Sequence, residues 1–162
     1  MKANQVNWIT FLLFGLALFF GCAKNAPKID QHTEAKRKYF QETKLKADKG
    51  DTTEQLKLSH LYELGDGVAK DAAKAMKWLR KAAEQNDARA QIKLGDMYVK
   101  GYMVATDILE AYAWYNLGCE QRQETEEFFN LKQLLTPQQV AEGQKRSKKL
   151  AAMIEAKMRV GK

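Results

Sequence analysis

Cysteine, proline and histidine are each present only twice in the 162 residues. With Cys22 at the end of an apolar leader and Cys119 far along the chain, a mature domain has no intramolecular disulfide to form. Two histidines, His32 and His60, and no cysteine–histidine cluster leave no set of residues at metal-ligand spacing, so neither a metal nor a cofactor is expected. The only long apolar run, Trp8 to Phe20, is shorter than the ~20 residues a membrane-spanning helix needs. The chain is also too short for a multidomain enzyme. Its net charge of +7 is unevenly placed: residues 24–50 carry eight basic against four acidic groups and residues 141–162 seven against two, whereas residues 51–140 carry eleven against fourteen. A nucleic-acid reader puts its basic stripe on the folded body, so nucleic acid is not an expected partner.

The N-terminal run has the length of a secretory signal core, ~7 to 15 apolar residues after a positive charge, here Lys2. It ends in Leu18-Phe19-Phe20-Gly21-Cys22, which resembles the processing site of bacterial lipoproteins, with Phe19 where leucine is usual. That resemblance implies a signal peptide over 1–21, lipid attachment at Cys22 and a membrane tether through 22–32. Ala23 in place of aspartate implies the outer rather than the inner membrane. The alternatives are an uncleaved anchor, or ordinary cleavage with Cys22 left as a thiol.

A period of 36 residues organises the body. It pairs Gln55 with Gln91, Leu58 with Leu94, Tyr62 with Tyr98, Gly65 with Gly101, Val68 with Val104, Asp71 with Asp107, Ala75 with Ala111, Trp78 with Trp114, Glu84 with Glu120 and Gln85 with Gln121. Each unit reads as helix, glycine turn, helix. Leu58, Leu61 and Tyr62 lie at helical spacing over about 52–64, and Gly65-Asp66-Gly67 ends that helix. Asp71 is placed to cap a second helix over about 72–85, and Asp107 with Glu110 has the spacing of a capping box. Ala75, Trp78, Leu79 and Ala82 make that helix's apolar face, and Trp78 and Trp114 are expected to anchor successive interfaces.

The string from Leu58 to Gln85, with Leu-Tyr-x-x-Gly-x-Gly-Val, Lys-Ala-x-x-Trp and Lys-Ala-Ala-Glu-Gln, resembles the Sel1-like repeat (SLR), a relative of the tetratricopeptide repeat. Residues 86–95 resemble the opening of the next unit. Unit two departs at Met103, which replaces a turn glycine, and at Gly118-Cys119 in place of Ala-Ala, which predicts a looser second helix. The resemblance covers roughly 45–150 and implies an all-α, short right-handed α-solenoid. Two units over 51–122 fall short of the ~3 needed for a stable stack. Flanking helices are therefore expected: a degenerate repeat helix over 33–50, then 123–162 as capping helices with a basic tail, the last opened by Thr136-Pro137-Gln138-Gln139.

No catalytic residues are assigned, because Ser59 and His60 are neighbours on a helix and point ~100° apart. Cys119 reads as a packing position, with an intermolecular disulfide as the alternative. The first helices of such units line a groove, which makes Lys57, His60, Glu63, Lys93, Asp96 and Lys100 the candidate partner-binding residues. The basic helix with Lys145, Arg146, Lys148, Lys149, Lys157 and Arg159 is a second surface, suited to anionic lipid or cell-wall polymer. The reading that follows is a non-enzymatic adaptor of the bacterial envelope. It would be lipid-anchored, periplasm-facing and engaged with envelope proteins. The alternative is a protein that binds or hydrolyses peptidoglycan.

Overall fold

A computed structural model describes residues 31–160, and the signal, lipidation and tether positions from 1 to 30 lie outside the described residues. The described residues form seven α-helices and no strand: α1 (Gln31–Asp48), α2 (Thr52–Leu64), α3 (Ala72–Ala83), α4 (Ala88–Lys100), α5 (Ile108–Glu120), α6 (Glu126–Leu134) and α7 (Pro137–Val160). His32, expected in the tether, belongs to the first turn of α1.

The four repeat helices start at aspartates whose side chains accept backbone N–H groups: Asp51 for α2, Asp71 for α3, Asp87 for α4 and Asp107 for α5. These caps satisfy donors that the first turn leaves orphaned. Thr136 and Gln139 complete a reciprocal box at α7, the Gln139 N–H donating to Thr136 Oγ1 and Thr136 N–H to Gln139 Oε1. At α5 the expected box is only half made. Asp107 accepts from Glu110 N–H, but the Glu110 carboxylate accepts from Trp114 Nε1 at 2.9 Å and the Asp107 N–H donates to the Tyr98 carbonyl.

Gly65 and Gly101 close α2 and α4 at φ 77° and 61°, in the left-handed region where glycine is unstrained. Two residues further on the units differ. Gly67 has φ 72°, and a β-carbon there would lie 2.3 Å from the Lys36 carbonyl oxygen of α1. Its counterpart Met103 holds φ 62°, at a cost of about 1–2 kcal/mol. Its side chain is partly buried against both hydrophobic clusters.

Packing runs between consecutive helices. Tyr62, Leu58, Leu61 and Ala75 form one cluster with Ala47, and Phe40 of α1 meets the Tyr62 ring edge-on at 5.4 Å. The larger cluster joins Leu79 and Ala82 of α3 to Leu94 and Tyr98 of α4, Tyr112, Trp114 and Tyr115 of α5, and Phe128, Leu131 and Ile154 beyond. Three helices approach closely through glycine. A β-carbon on Gly95 would meet the Tyr115 ring at 2.7 Å, one on Gly118 the Ile92 side chain at 2.7 Å, and one on Gly143 the Tyr112 ring at 2.5 Å. Gly118 therefore tightens the second helix of unit two, against the looser packing expected of it.

The two tryptophans are not equivalent. Trp114 is fully buried in the larger core. Trp78 is half-buried at the edge of the smaller one, with the Lys81 ammonium 4.8 Å from its ring centroid. The expectation that both anchor successive interfaces holds for Trp114, whereas Trp78 is only partly buried against the smaller cluster. Trp114→Ala is expected to cost about 3–5 kcal/mol of unfolding free energy. Trp78→Ala should cost about 1–2 kcal/mol, in proportion to the smaller apolar area it covers. Denaturant titration of both variants measures this, and equal losses would contradict the asymmetry.

Candidate functional site

The helices α2 and α4 present one face each to a groove. On α4, residues Arg89, Lys93, Asp96 and Lys100 follow helical spacing along that face. They line a basin of about 830 Å³ with Glu63 of α2, Tyr102 of the turn, and Arg122 to Thr125 of the α5–α6 connection. A second basin of about 360 Å³ lies between Tyr39 of α1, Lys57, His60 and Leu61 of α2, and Arg89 and Lys93 of α4. Arg89 and Lys93 line both, so the two basins adjoin across α4.

All six sequence-predicted residues lie along this groove, with different commitments. Lys93 Nζ stands 2.6 Å from Glu63 Oε2, and His60 Nδ1 is 3.3 Å from the same carboxylate oxygen. This pair ties α4 of unit two to α2 of unit one. Burial pushes the Glu63 carboxyl up, but the Lys93 ammonium and then His60 outweigh it and hold the carboxyl below the ordinary glutamate range. Asp96 accepts from the Tyr115 hydroxyl. Burial first, and the Asp96 carboxylate second, keep that phenol protonated. Asp96 is thus a structural anchor between α4 and α5 as well as a groove residue. Lys57 pairs with Glu54 at 2.8 Å on its own helix. Among the described residues Lys100 makes no ion pair or side-chain hydrogen bond.

Ser59 and His60 diverge as their spacing requires: Ser59 is fully buried and the His60 side chain is exposed. Cys119 is half-buried near the end of α5, and burial pushes its thiol up, away from the reactive thiolate. Among the described residues no group of three or more His, Cys, Asp and Glu side chains converges as a metal site would require. No helix among them is long and apolar enough to cross a membrane.

The basic tail is partly consumed. Arg146 reaches Asp107 at 3.2 Å and pins α7 to the start of α5. Lys157 meets Glu84, while Lys145 and Arg159 face Glu142 and Glu155 at 3.9 and 3.8 Å. Lys148 and Lys149 make no such pair among the described residues.

Arg89, Tyr102, Arg122 and Tyr39 are groove residues that sequence reasoning missed. Arg89 was accessible to it, since it stands four residues before Lys93 on the same helix. Arg122 was not, because only the path of the α5–α6 connection brings it over α4.

The period recurs in the hydrogen bonds. Gln55 Nε2 donates to the Ala47 carbonyl and Gln91 Nε2 to the Ala83 carbonyl, each at 3.1 Å. Gln85 Nε2 donates to Gln55 Oε1 at 2.7 Å and Gln121 Nε2 to Gln91 Oε1 at 3.0 Å. Residues 55–87 and 88–122 match the Sel1 repeat family. The two Sel1 repeats thus correspond to α2–α3 and α4–α5. The chain is also similar to the crystal structure of a protective antigen present in uropathogenic Escherichia coli strains that displays an SLR fold. That similarity has a TM-score of 0.68 at 29% identity, over 83% of this chain and 30% of the other. A Sel1 repeat protein from Oxalobacter formigenes gives 0.51 at 36% identity, over 54% of this chain and 36% of that one. The chain therefore spans only about a third of either structure's length. No curated protein matches it. Among the described residues the fold is an α-solenoid in which the two segments that match the Sel1 repeat follow one helix and precede two more.

The Glu63–Lys93 pair has a pH signature. A carboxyl held below its ordinary pKa contributes stability that is present above the unfolded value and is lost as pH falls through the folded one. Replacing Lys93 by methionine should raise the pH at which Glu63 titrates and flatten that part of the acid limb. Carboxyl chemical shifts followed by NMR titration report both, and an unmoved Glu63 titration in Lys93→Met would contradict the pairing.

Proposed function

We propose that this protein is a non-catalytic scaffold that binds a protein segment along the groove over α2 and α4, while a lipid on Cys22 holds it in the bacterial envelope. The observation that carries the first half is that two basins adjoin across the repeat boundary, sharing Arg89 and Lys93. They offer an extended site with apolar patches at Tyr39, Leu61, Ile92 and Tyr102 between charged groups. Sel1 repeats typically serve protein–protein interaction, and a stack of helix pairs with an open inner face suits an extended partner. The second half rests on the leader sequence ending at Gly21-Cys22. Several acyl chains anchor stably where one binds only marginally. The placement we favour is periplasm-facing on the outer membrane.

Two measurements test this. Intact mass of the protein purified from its own membranes should give a chain beginning at Cys22 and carrying acyl groups; an unprocessed N-terminus would refute the anchor. A photo-crosslinker placed at Tyr102 should join one defined envelope protein, and Lys93→Glu should abolish that product, whereas a crosslinker at Lys148 should not form it. Recovery of wall fragments at Tyr102, with turnover of purified peptidoglycan, would instead establish a cell-wall activity.

A further inference from the structure

The groove's charges are not equally available. Each acidic side chain lining the larger basin is already engaged: Glu63 by Lys93 and His60, Asp96 by the Tyr115 hydroxyl, and Glu124 by Lys132 at 2.6 Å. Three of the groove's cations are engaged as well, Lys57 with Glu54, Arg89 with Asp87 and Lys93 with Glu63. That leaves Lys100 and Arg122. Among the described residues neither side chain has a hydrogen-bond or ion-pair partner, and both line the same 830 Å³ basin, Lys100 from α4 and Arg122 from the α5–α6 connection. Tyr102, 43% exposed, lines the basin two residues beyond Lys100, and Ile92 lines it from α4.

We propose that the basin takes an acidic segment of a protein partner, with carboxylates seated on Lys100 and Arg122 and an adjacent apolar side chain against Tyr102. This deepens the scaffold reading and rests on it. Charge complementarity sets the sign. A cationic segment would compete with Lys93 and Lys132 for Glu63 and Glu124 and share Asp96 with the Tyr115 hydroxyl, whereas a carboxylate meets two cations that surrender nothing. The Arg122 guanidinium suits a bidentate carboxylate, and Lys100 supplies a point charge. Exposed tyrosine gives contact area at low entropic cost, as binding hot spots commonly do. A uniform polyanion fits less well, because Glu63, Asp96 and Glu124 line the same basin and would repel a chain charged at every residue.

The test is selection of short random peptides displayed on phage against the full-length protein, followed by fluorescence anisotropy with synthetic copies of the enriched sequences. These should carry Asp or Glu next to Leu, Phe or Tyr, and bind more weakly as salt rises. The double variant Lys100→Glu with Arg122→Glu should weaken them by about tenfold or more. The neutral pair Lys100→Gln with Arg122→Gln should fall between it and the wild type. A reversal outside the groove, Lys148→Glu with Lys149→Glu, should leave binding within about twofold. None of the four altered side chains has a partner among the described residues, so circular dichroism should show each variant folded. Enriched peptides without carboxylates that bind the groove variants undiminished would overturn the acidic-segment inference and leave the scaffold reading intact. Poly-glutamate competing as well as the selected peptides would overturn it too, in favour of a plain polyanion surface. Enrichment of no binding peptide at all would overturn both.

Discussion

Gln91 is completely enclosed, and its amide is spoken for on every side. Its Nε2 donates to the Ala83 carbonyl and to Asn86 Oδ1, and its Oε1 accepts from Gln121, the residue that caps the C-terminus of α5. Gln55 repeats the arrangement one unit earlier with Ala47 and Gln85. A buried amide without partners costs about 1–3 kcal/mol, so these side chains penalise any stacking that slides one helix along the next. Apolar contacts between helices tolerate such slippage far better. The relay joins the end of one second helix, the first helix after it and the second helix of that unit. The groove is a consequence, because the register of α4 on α2 brings Lys93 opposite Glu63.

The same relay makes α1 part of the repeat array. Ala47 stands where Ala83 stands a unit later, Gly50 takes the positive φ of Asn86, and Asp51 caps α2 as Asp87 caps α4. At the other end of the described residues the repeats are followed by α6 and α7. There α7 lies on α5 through Gly143 against the Tyr112 ring, Ser147 bonded to Asn116 at 3.1 Å, and a buried Ile154. Arg146 and Lys157 add ion pairs to α5 and the end of α3. Two repeats bury too little alone, and these two ends supply what a third would. Two of the six basic side chains of α7, Arg146 and Lys157, are thereby directed at the repeat helices.

The helices were legible in the sequence because their boundaries are chemical. Aspartate and threonine caps, the glycine turns and the 36-residue offset place α2 to α5 within a residue or two. The identity of Gln55 with Gln91 and of Gln85 with Gln121 was visible too, but not its meaning, since a polar residue at a repeated position reads equally well as surface. Burial decides it, and burial depends on which helix comes next. The same limit explains Trp78: the sequence offset makes it Trp114's twin, while its position near the end of the stack leaves it half-covered. In the groove, helical spacing placed the faces of α2 and α4, and no spacing rule reaches across the α5–α6 connection to Arg122. Nor does sequence show that Asp96 is committed to Tyr115, because that bond depends on the close approach Gly95 permits.

If the glutamine relay sets the register, the energies of its members must be coupled. The direct measurement is a double-mutant cycle on Gln91→Ala and Gln121→Ala by equilibrium unfolding. A connected relay predicts that each single change is destabilising and that the double variant departs from additivity by about 0.5–3 kcal/mol. Additive losses within experimental error, or stability unchanged in Gln91→Ala, would contradict it and leave apolar packing alone to hold the repeats in place.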